Sequence, residues 1–237
     1  MHSDTPHILR EFDLAFESLR NEVIAMASQA RLNLERAMQG LLERDIERCR
    51  AVVADDDEVD DAELRIDRIG METLVRFHPV ASDLRLVITS MKVASNLERI
   101  SDHAVNIAKR ARKMLARPEC PEVTFIEPLY ALADQQVRDA LSAYTDRNAD
   151  LGASLQLRDK DLDKMHKRLI ATFTSRLEEG GEKAEDFLHL VFVARSLERI
   201  GDLAVNIGED AVFLDSARDI RHEKPVVPPD EGRGAST

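Results

Sequence analysis

Apolar residues recur at steps of three and four over long intervals of the chain, which is the spacing of one face of an α-helix. This spacing predicts one long amphipathic helix from residue 8 to about residue 44 and a second helical region from residue 46 to about residue 77. Four further helices are predicted over about 82–115, 127–146, 149–178 and 182–215. The chain is therefore predicted to be all-helical.

Residues that start or stop helices lie at the ends of these intervals. Asp45 and Ser82 are predicted N-caps, because their side chains accept hydrogen bonds from free backbone N–H groups. Pro79 ends the second helical region, since a proline inside a helix costs about 3 kcal/mol. The segment RPECP, residues 117–121, is the strongest interruption. We predict one domain over 1–116, a second over 122–217, and a disordered tail over 218–237, which has little apolar surface to bury.

Two segments one hundred residues apart are nearly identical. LERISDHAVNI, 97–107, returns as LERIGDLAVNI, 197–207, with nine of eleven positions unchanged. Upstream, the segment that ends at Glu63 aligns with the one that ends at His166, at an offset of 103 residues. This offset exceeds the downstream offset of 100 by three residues, and the loops between the second and third helices of each half absorb the difference. Three helices can enclose an apolar stripe that two would leave exposed. The predicted fold class is all-α, with two similar three-helix bundles in tandem.

Composition narrows the function classes. The net charge of −12 disfavours nucleic-acid binding, which needs a positive surface. No apolar run approaches the roughly 20 residues that span a bilayer, and the charged N-terminus lacks a signal peptide's apolar core. Cys49 and Cys120 lie far apart, so neither a disulfide framework nor a thiolate metal site is expected. We expect a soluble, cytoplasmic protein.

Acidic residues recur inside the repeated segments. Glu98 and Asp102 stand at i and i+4 on one face of a helix, and Glu198 and Asp202 repeat the pair. The aligned second helices carry further rows: Asp56, Asp60 and Glu63 in the first half, and Asp159, Asp163 and His166 in the second. Rows on adjacent antiparallel helices could face one another.

Carboxylates gathered in this way repel unless they are protonated, paired with bases or neutralised by cations. Arg99 and Arg199 follow the glutamates but point about 100° away on the helix, so we expect them to be poor partners. Oxygen ligands suit magnesium, calcium, manganese and ferric iron, and an added histidine also suits iron and zinc. The rows thus predict metal sites whose metal the spacing does not select. His103 is not expected to be a ligand, and His189 is expected to pack in the core.

These residues resemble the PhoU family of phosphate-uptake regulators. The matching segments are HPVASDLRLV, ASNLERISDHAVNIAKRA and ARSLERIGDLAVNI, and the resemblance extends to about residue 217. It implies two three-helix bundles side by side, each with a Glu/Asp-x-x-x-Asp motif that binds multinuclear metal clusters, of iron, zinc or manganese. The motif residues would be Glu98 with Asp102 and Glu198 with Asp202, and the acids of the second helices would be their companions. His166 departs from the pattern, because the first half has Glu63 there.

The resemblance also implies a role. Members are cytoplasmic, peripheral negative regulators that link the ATPase of the phosphate ABC transporter to the phosphate-sensing histidine kinase. They associate with the membrane only through those partners. The sequence does not decide whether this chain forms a homodimer. When phosphate is sufficient, such a protein restrains uptake and keeps the starvation response off.

Two alternatives remain open. The first is a helical scaffold whose acids bind no metal, since a charged helix face is usually just solvated. The second is an enzyme with a carboxylate-bridged metal centre. No Glu has a His three residues later, as ferritin-like sites do, and the sequence has no phosphate-binding loop for nucleotide chemistry. The sequence therefore favours a protein that is not an enzyme.

Overall fold

A computed structural model describes residues 5–221 and residue 223. Its α-helices are α1 (Thr5–Leu42), α2 (Ile46–Ala54), α3 (Asp56–Phe77), α4 (Ala81–Leu115), α5 (Glu127–Thr145), α6 (Ala149–Glu178) and α7 (Ala184–Ser216), with a short 3-10 helix at Pro121–Ile126. The all-helical prediction is confirmed. Within the described residues no helix is both long enough and apolar enough to cross a bilayer.

The second predicted helix is divided at Asp55 into α2 and α3. Asp45 caps α2 as predicted, because its side chain accepts hydrogen bonds from two backbone N–H groups of that helix. Asp55 pairs with Arg36 of α1 at 2.7 Å. The acidic residues 56–58 then occupy the first turn of α3, where the positive end of the helix dipole favours negative charge. The break gives this acidic run a helix N-terminus of its own.

The start of α4 corrects one prediction. Ser82 is not the N-cap but lies inside the helix, and Val80 is the N-cap, with an extended backbone and no side-chain cap hydrogen bond. The backbone N–H of Asp83 donates to the carbonyl of Val80 at 3.1 Å, so the helix begins before Ser82 is reached. His78 ends α3 in a left-handed conformation just before Pro79.

The two halves make the same turn between their first and second helices. Arg44 and Arg147 both have left-handed backbones, with φ of 58° and 52°. Asp45 and Asn148 follow them, and each caps the next helix with its side chain. These positions differ by 103 residues, as the sequence alignment requires.

The bundles meet through α4 and α7, which lie antiparallel. Lys92 on α4 reaches Asp210 at 3.3 Å and lies 5.8 Å from the ring centre of Phe213, both on α7. At the other end, the guanidinium of Arg110 lies 4.0 Å from the ring centre of Phe192. At the offset of 100, Phe192 corresponds to Lys92 and Asp210 to Arg110. Related positions therefore meet across an approximate two-fold axis, and the buried apolar residues of both bundles form one continuous core.

Two ends of the second bundle are anchored. Arg117, after α4, pairs with Asp186 at 2.9 Å and with Glu185 at 2.7 Å in the first turn of α7. After α7, Ile220 is buried and its carbonyl accepts a hydrogen bond from Gln156. The first residues of the predicted tail thus pack on α6, whereas residues 222 and 224–237 of that tail lie outside the described part. Cys49 and Cys120 are buried free thiols.

Candidate metal centres

Helices α3 and α4 bring the acidic rows of the first bundle together. We call Asp56, Asp60, Glu63, Glu98 and Asp102 the first acidic cluster. Their carboxylates are close enough to influence one another, because the other four all raise the pKa of Glu98. The two rows therefore face each other, which helical spacing alone could not establish.

Burial and charge crowding act together in the first acidic cluster. Burial, followed by Asp102 and the other acids, raises the pKa of Glu98 to about 7. Burial and Asp102 likewise raise the pKa of Asp56 and of Asp60, whereas Lys109 opposes the rise at Asp56. One oxygen of Asp56, Oδ1, is buried without a hydrogen-bond partner in the described part of the protein. Glu98, Asp56 and Asp60 thus hold protons more tightly than isolated carboxylates do, and their crowded charges would be relieved by a cation.

Helices α6 and α7 repeat the arrangement in the second bundle. We call Asp159, Asp163, Glu198 and Asp202 the second acidic cluster. Burial, then Asp202, Asp163 and Glu198, raise the pKa of Asp159 to about 6. Its Oδ1 is buried and unpartnered among the described residues, as is that of its counterpart Asp56. Both repeats therefore have, at the same position, a carboxylate oxygen without a hydrogen-bond donor among the described residues. Such an oxygen is suited to bind a cation.

Arg199 corrects a second prediction. It was expected to be a poor partner, yet its guanidinium lies 3.0 Å from Asp202 and 3.5 Å from Glu198. Residues three apart are neighbours on a helix, and the long, flexible arginine stem lets the guanidinium reach Asp202. The second acidic cluster is therefore already partly neutralised by the protein.

The side chains do not form a finished coordination sphere. Over residues 5–221 and 223, no three His, Cys, Asp or Glu side chains converge closely enough to hold one ion as they stand. His166 is aligned with Glu63, and its Nε2 is buried without a hydrogen-bond partner there. Ligation would require carboxylate rotamers to change, which the exposed side chains of Asp60 and Asp102 can do.

The other histidines and the asparagines are placed differently. His189 is 4% exposed, as expected for a core residue. His103 lies between the two bundles, where the charges of Asp102 and Asp202 both reach it and burial lowers its pKa. Asn206 donates from Nδ2 to Oδ1 of Asn96 across the α4–α7 interface at 3.5 Å.

Two features of the site were missed by sequence reasoning. Gln136 on α5 lies beside Asp159, and it occupies the position that aligns with Asn33 at the offset of 103, so the repeat alignment contained the signal. Beside the first cluster, an open groove of about 620 Å³ is lined by Asn106 and by four cationic side chains of α4. These are Lys109, Arg110, Arg112 and Lys113. Helical periodicity does not distinguish such a basic stretch from an ordinary solvated face.

Comparisons with known proteins match both repeats. The PhoU domain family matches the chain twice, over residues 23–111 and 126–211, once for each bundle. A phosphate-specific transport system accessory protein PhoU homolog from Pseudomonas putida is 34% identical over 221 residues, which cover 92% of this chain and 86% of that relative.

Solved structures share the fold. The crystal structure of PhoU from Pseudomonas aeruginosa has a TM-score of 0.84 and 30% identity, and the match covers 87% of this chain and 100% of that one. The crystal structure of the phosphate transport system regulatory protein PhoU from Streptococcus pneumoniae has a TM-score of 0.80 at 23% identity, with 88% and 98% covered. The second likeness concerns the fold alone.

Proposed function

This chain belongs to the PhoU family, and we propose that it is a cytoplasmic negative regulator of phosphate uptake and of phosphate-starvation signalling. In this role it is an adaptor between the phosphate ABC transporter, through its ATPase, and the phosphate-sensing histidine kinase. The observation that carries the proposal is the family match to both bundles, together with a relative named as an accessory protein of phosphate-specific transport over 92% of the chain. The family is one of accessory and regulatory proteins, in agreement with the expectation that this chain is not an enzyme.

Exposed apolar side chains support a role in contacting other proteins. On α3, Leu64, Met71 and Val75 are 66%, 54% and 70% exposed. Val80, in the turn to α4, is 72% exposed, and Ile88 on α4 is 37% exposed. Apolar side chains concentrated on one helical hairpin are typical of surfaces that bind protein partners.

We further propose that the first and second acidic clusters bind metal ions. The support is the crowding of carboxylates on facing helices, the raised pKa of Glu98 and Asp159, and the unpartnered Oδ1 atoms of Asp56 and Asp159. In the first bundle the ligands would be drawn from the whole cluster, and in the second from the four acids with His166. A bound cation would neutralise the repelling charges and tie α3 to α4 and α6 to α7. Iron, zinc and manganese all suit these donors.

A genetic experiment tests the regulatory role. In the parent organism we expect deletion of the gene to switch on a phosphate-starvation reporter in phosphate-rich medium, and the wild-type gene supplied in trans to switch it off. The protein should also co-purify with the transporter ATPase or with the kinase. A reporter that stays repressed in a strain lacking every copy of the gene would contradict the proposal.

Elemental analysis tests the metal sites separately. Untagged protein from metal-supplemented cells should contain iron, zinc or manganese, and the double variant Glu98→Ala/Asp102→Ala should contain less. Glu72→Ala is the matched control, because Glu72 is an exposed acid of α3 outside the cluster. Equal, near-zero metal in all three proteins would favour the alternative of a metal-free scaffold, whatever the outcome of the genetic test.

A further inference from the structure

The groove of about 620 Å³ on α4 is strongly basic, although the chain as a whole has a net charge of −12. We call it the basic groove. Its walls include Asn106 and, at the start of α2, Ile46. Four cationic side chains also line it: Lys109, Arg110, Arg112 and Lys113. Among the described residues that form its walls none is acidic, so four positive charges face one concavity without a carboxylate in it.

These four cations are available to a ligand. None of them forms an ion pair or donates a hydrogen bond within the described part of the chain. The guanidinium of Arg110 lies 4.0 Å from the ring centre of Phe192, a stacking contact that holds the group in place. Stacking uses the face of the guanidinium and leaves the N–H groups at its edge free for an acceptor. One strong donor is therefore already positioned beside the groove.

The second repeat has no equivalent of this basic row. At the offset of 100 the same positions hold Glu209, Asp210, Val212 and Phe213. The third helix of a bundle thus forms and packs without these cations. The helix dipole favours positive charge in the last turn, where Arg112 and Lys113 lie, but it does not account for Lys109 and Arg110 one turn earlier.

An amide is also left free in the basic groove. Asn206, the counterpart of Asn106, is hydrogen-bonded to Asn96 across the α4–α7 interface. The position related to Asn96 by the repeat holds Ser196, and Asn106 makes no hydrogen bond with any residue that the structure describes. The amide of Asn106 therefore adds neutral N–H donors to the four charged ones.

The number of cations indicates the kind of anion. Charged N–H donors form strong hydrogen bonds with phosphate oxygens, and Arg can donate two of them in parallel. Each phosphate group carries about two negative charges near neutral pH, so four cations match two linked phosphate groups better than one.

The surroundings of the groove limit the length of that anion. Asp102, Asn106, Lys109 and Lys113 follow one another at steps of four, three and four, so they lie on one face of α4. This face changes from acidic to basic at Asn106. A long polyanion or an anionic bilayer laid along it would meet the carboxylates of the first acidic cluster, whereas a short anion would not. The groove therefore favours a small, soluble anion.

We propose that the basic groove binds a small soluble anion with two or more linked phosphate groups, such as pyrophosphate or the phosphate chain of a nucleotide. Arg110 donates paired N–H groups to it, and the neighbouring cations neutralise its charge. The site belongs to the first bundle alone. The inference goes beyond the regulatory role and the metal sites proposed above and rests on neither.

Calorimetric titration of full-length protein with pyrophosphate tests the inference. The protein is chelator-treated and the buffer contains chelator, so that no metal at the acidic clusters can bridge the anion. Lys109→Gln/Lys113→Gln should weaken pyrophosphate binding roughly 10-fold or more, because two charge-assisted hydrogen bonds are lost. Arg110→Lys should weaken it roughly 3-fold or more, since the charge stays but the paired donors are lost.

A matched control separates the groove from general charge effects. Lys160→Gln/Lys164→Gln removes two exposed lysines at the same i, i+4 spacing on α6. It should leave the affinity within about twofold of the wild type, because charges outside the groove are screened by salt. The Tm of each variant without ligand verifies that it is folded.

Other probes identify the source of the phosphate groups. Metal-free ATP should bind as pyrophosphate does, and orthophosphate should bind roughly 10-fold more weakly or worse, since it engages fewer cations. The protein should not sediment with vesicles of phosphatidylcholine and phosphatidylglycerol. Vesicle or orthophosphate binding that is tighter than pyrophosphate binding and depends on Lys109 and Lys113 would overturn the choice of ligand. No pyrophosphate binding by the wild type, or equal losses in the groove and control variants, would overturn the site itself.

Discussion

Replacing Glu98 by glutamine is expected to stabilise the metal-free protein at alkaline pH and to leave it nearly unchanged at acid pH. Burial and four neighbouring carboxylates raise the pKa of Glu98 from 4.5 to about 7 in the folded protein. Below pH 4.5 the side chain is protonated in both the folded and the unfolded state, and its stability contribution is fully present. As the pH rises through about 7, the folded protein loses that proton and the contribution is lost.

The size of the effect follows from the same pKa values. A rise from 4.5 to about 7 corresponds to at most about 3 kcal/mol, and solvent screening of this partly exposed carboxylate reduces the expectation to about 1–2 kcal/mol. Glu98→Gln should therefore exceed the wild type in unfolding free energy by about 1–2 kcal/mol at pH 8 and by little at pH 5. Added metal should reverse the order at pH 8, because only the wild type retains the full ligand set.

Urea unfolding of chelator-treated protein at pH 5, 6, 7 and 8 measures this difference. Glu198→Gln is the matched control from the second repeat, where Arg199 lies 3.5 Å from the carboxylate, so that substitution should bring no gain in stability at pH 8. A difference between Glu98→Gln and the wild type that is the same at pH 5 and pH 8 would refute the reasoning from charge crowding.

Two further predictions concern packing and ion pairs. Gly152→Ala should lower the urea midpoint by the equivalent of about 1–3 kcal/mol, because the new Cβ would lie 2.5 Å from the backbone oxygen of Gly208. A backbone oxygen cannot move aside as a side chain can. An unchanged midpoint would show that α6 and α7 can separate at low cost. Arg117→Ala should cost about 3 kcal/mol, since it leaves Asp186, 3% exposed, without its guanidinium partner. The exposed Arg50→Ala should stay within about 0.5 kcal/mol of the wild type, and equal losses for the two arginine variants would contradict the importance of burial.

The helices and the repeat were predictable from the sequence because both depend on local information. The apolar spacing of three and four predicted the long helices, and Asp45 was correctly identified as a cap. The break at Asp55 and the start of α4 at Val80 were not predicted. At both points several residues could begin a helix, and contacts with α1 or the geometry after Pro79 select among them.

The acidic rows of the candidate site were predictable from the sequence, but their burial, their pKa values and their ion pairs were not. The positions of Glu98 and Asp102 on one helix face follow from the sequence, whereas the burial that raises the pKa of Glu98 depends on α3 packing against α4. The pairing of Arg199 with Asp202 depends on the rotamer of a long side chain, which periodicity does not fix. Whether metal binds there stays a prediction.

The sequence by itself determined an all-helical chain of two similar units, the faces on which the acids lie, and the resemblance to the PhoU family. Only the tertiary structure decided that α4 and α7 join the units across an approximate two-fold axis, and that Gln136 is buried without a hydrogen-bond partner among the described residues. The reason is physical: helix formation and face assignment depend on residues within a few turns. Burial, pKa and hydrogen-bond satisfaction depend instead on neighbours that are distant in the chain and are fixed only when the helices pack.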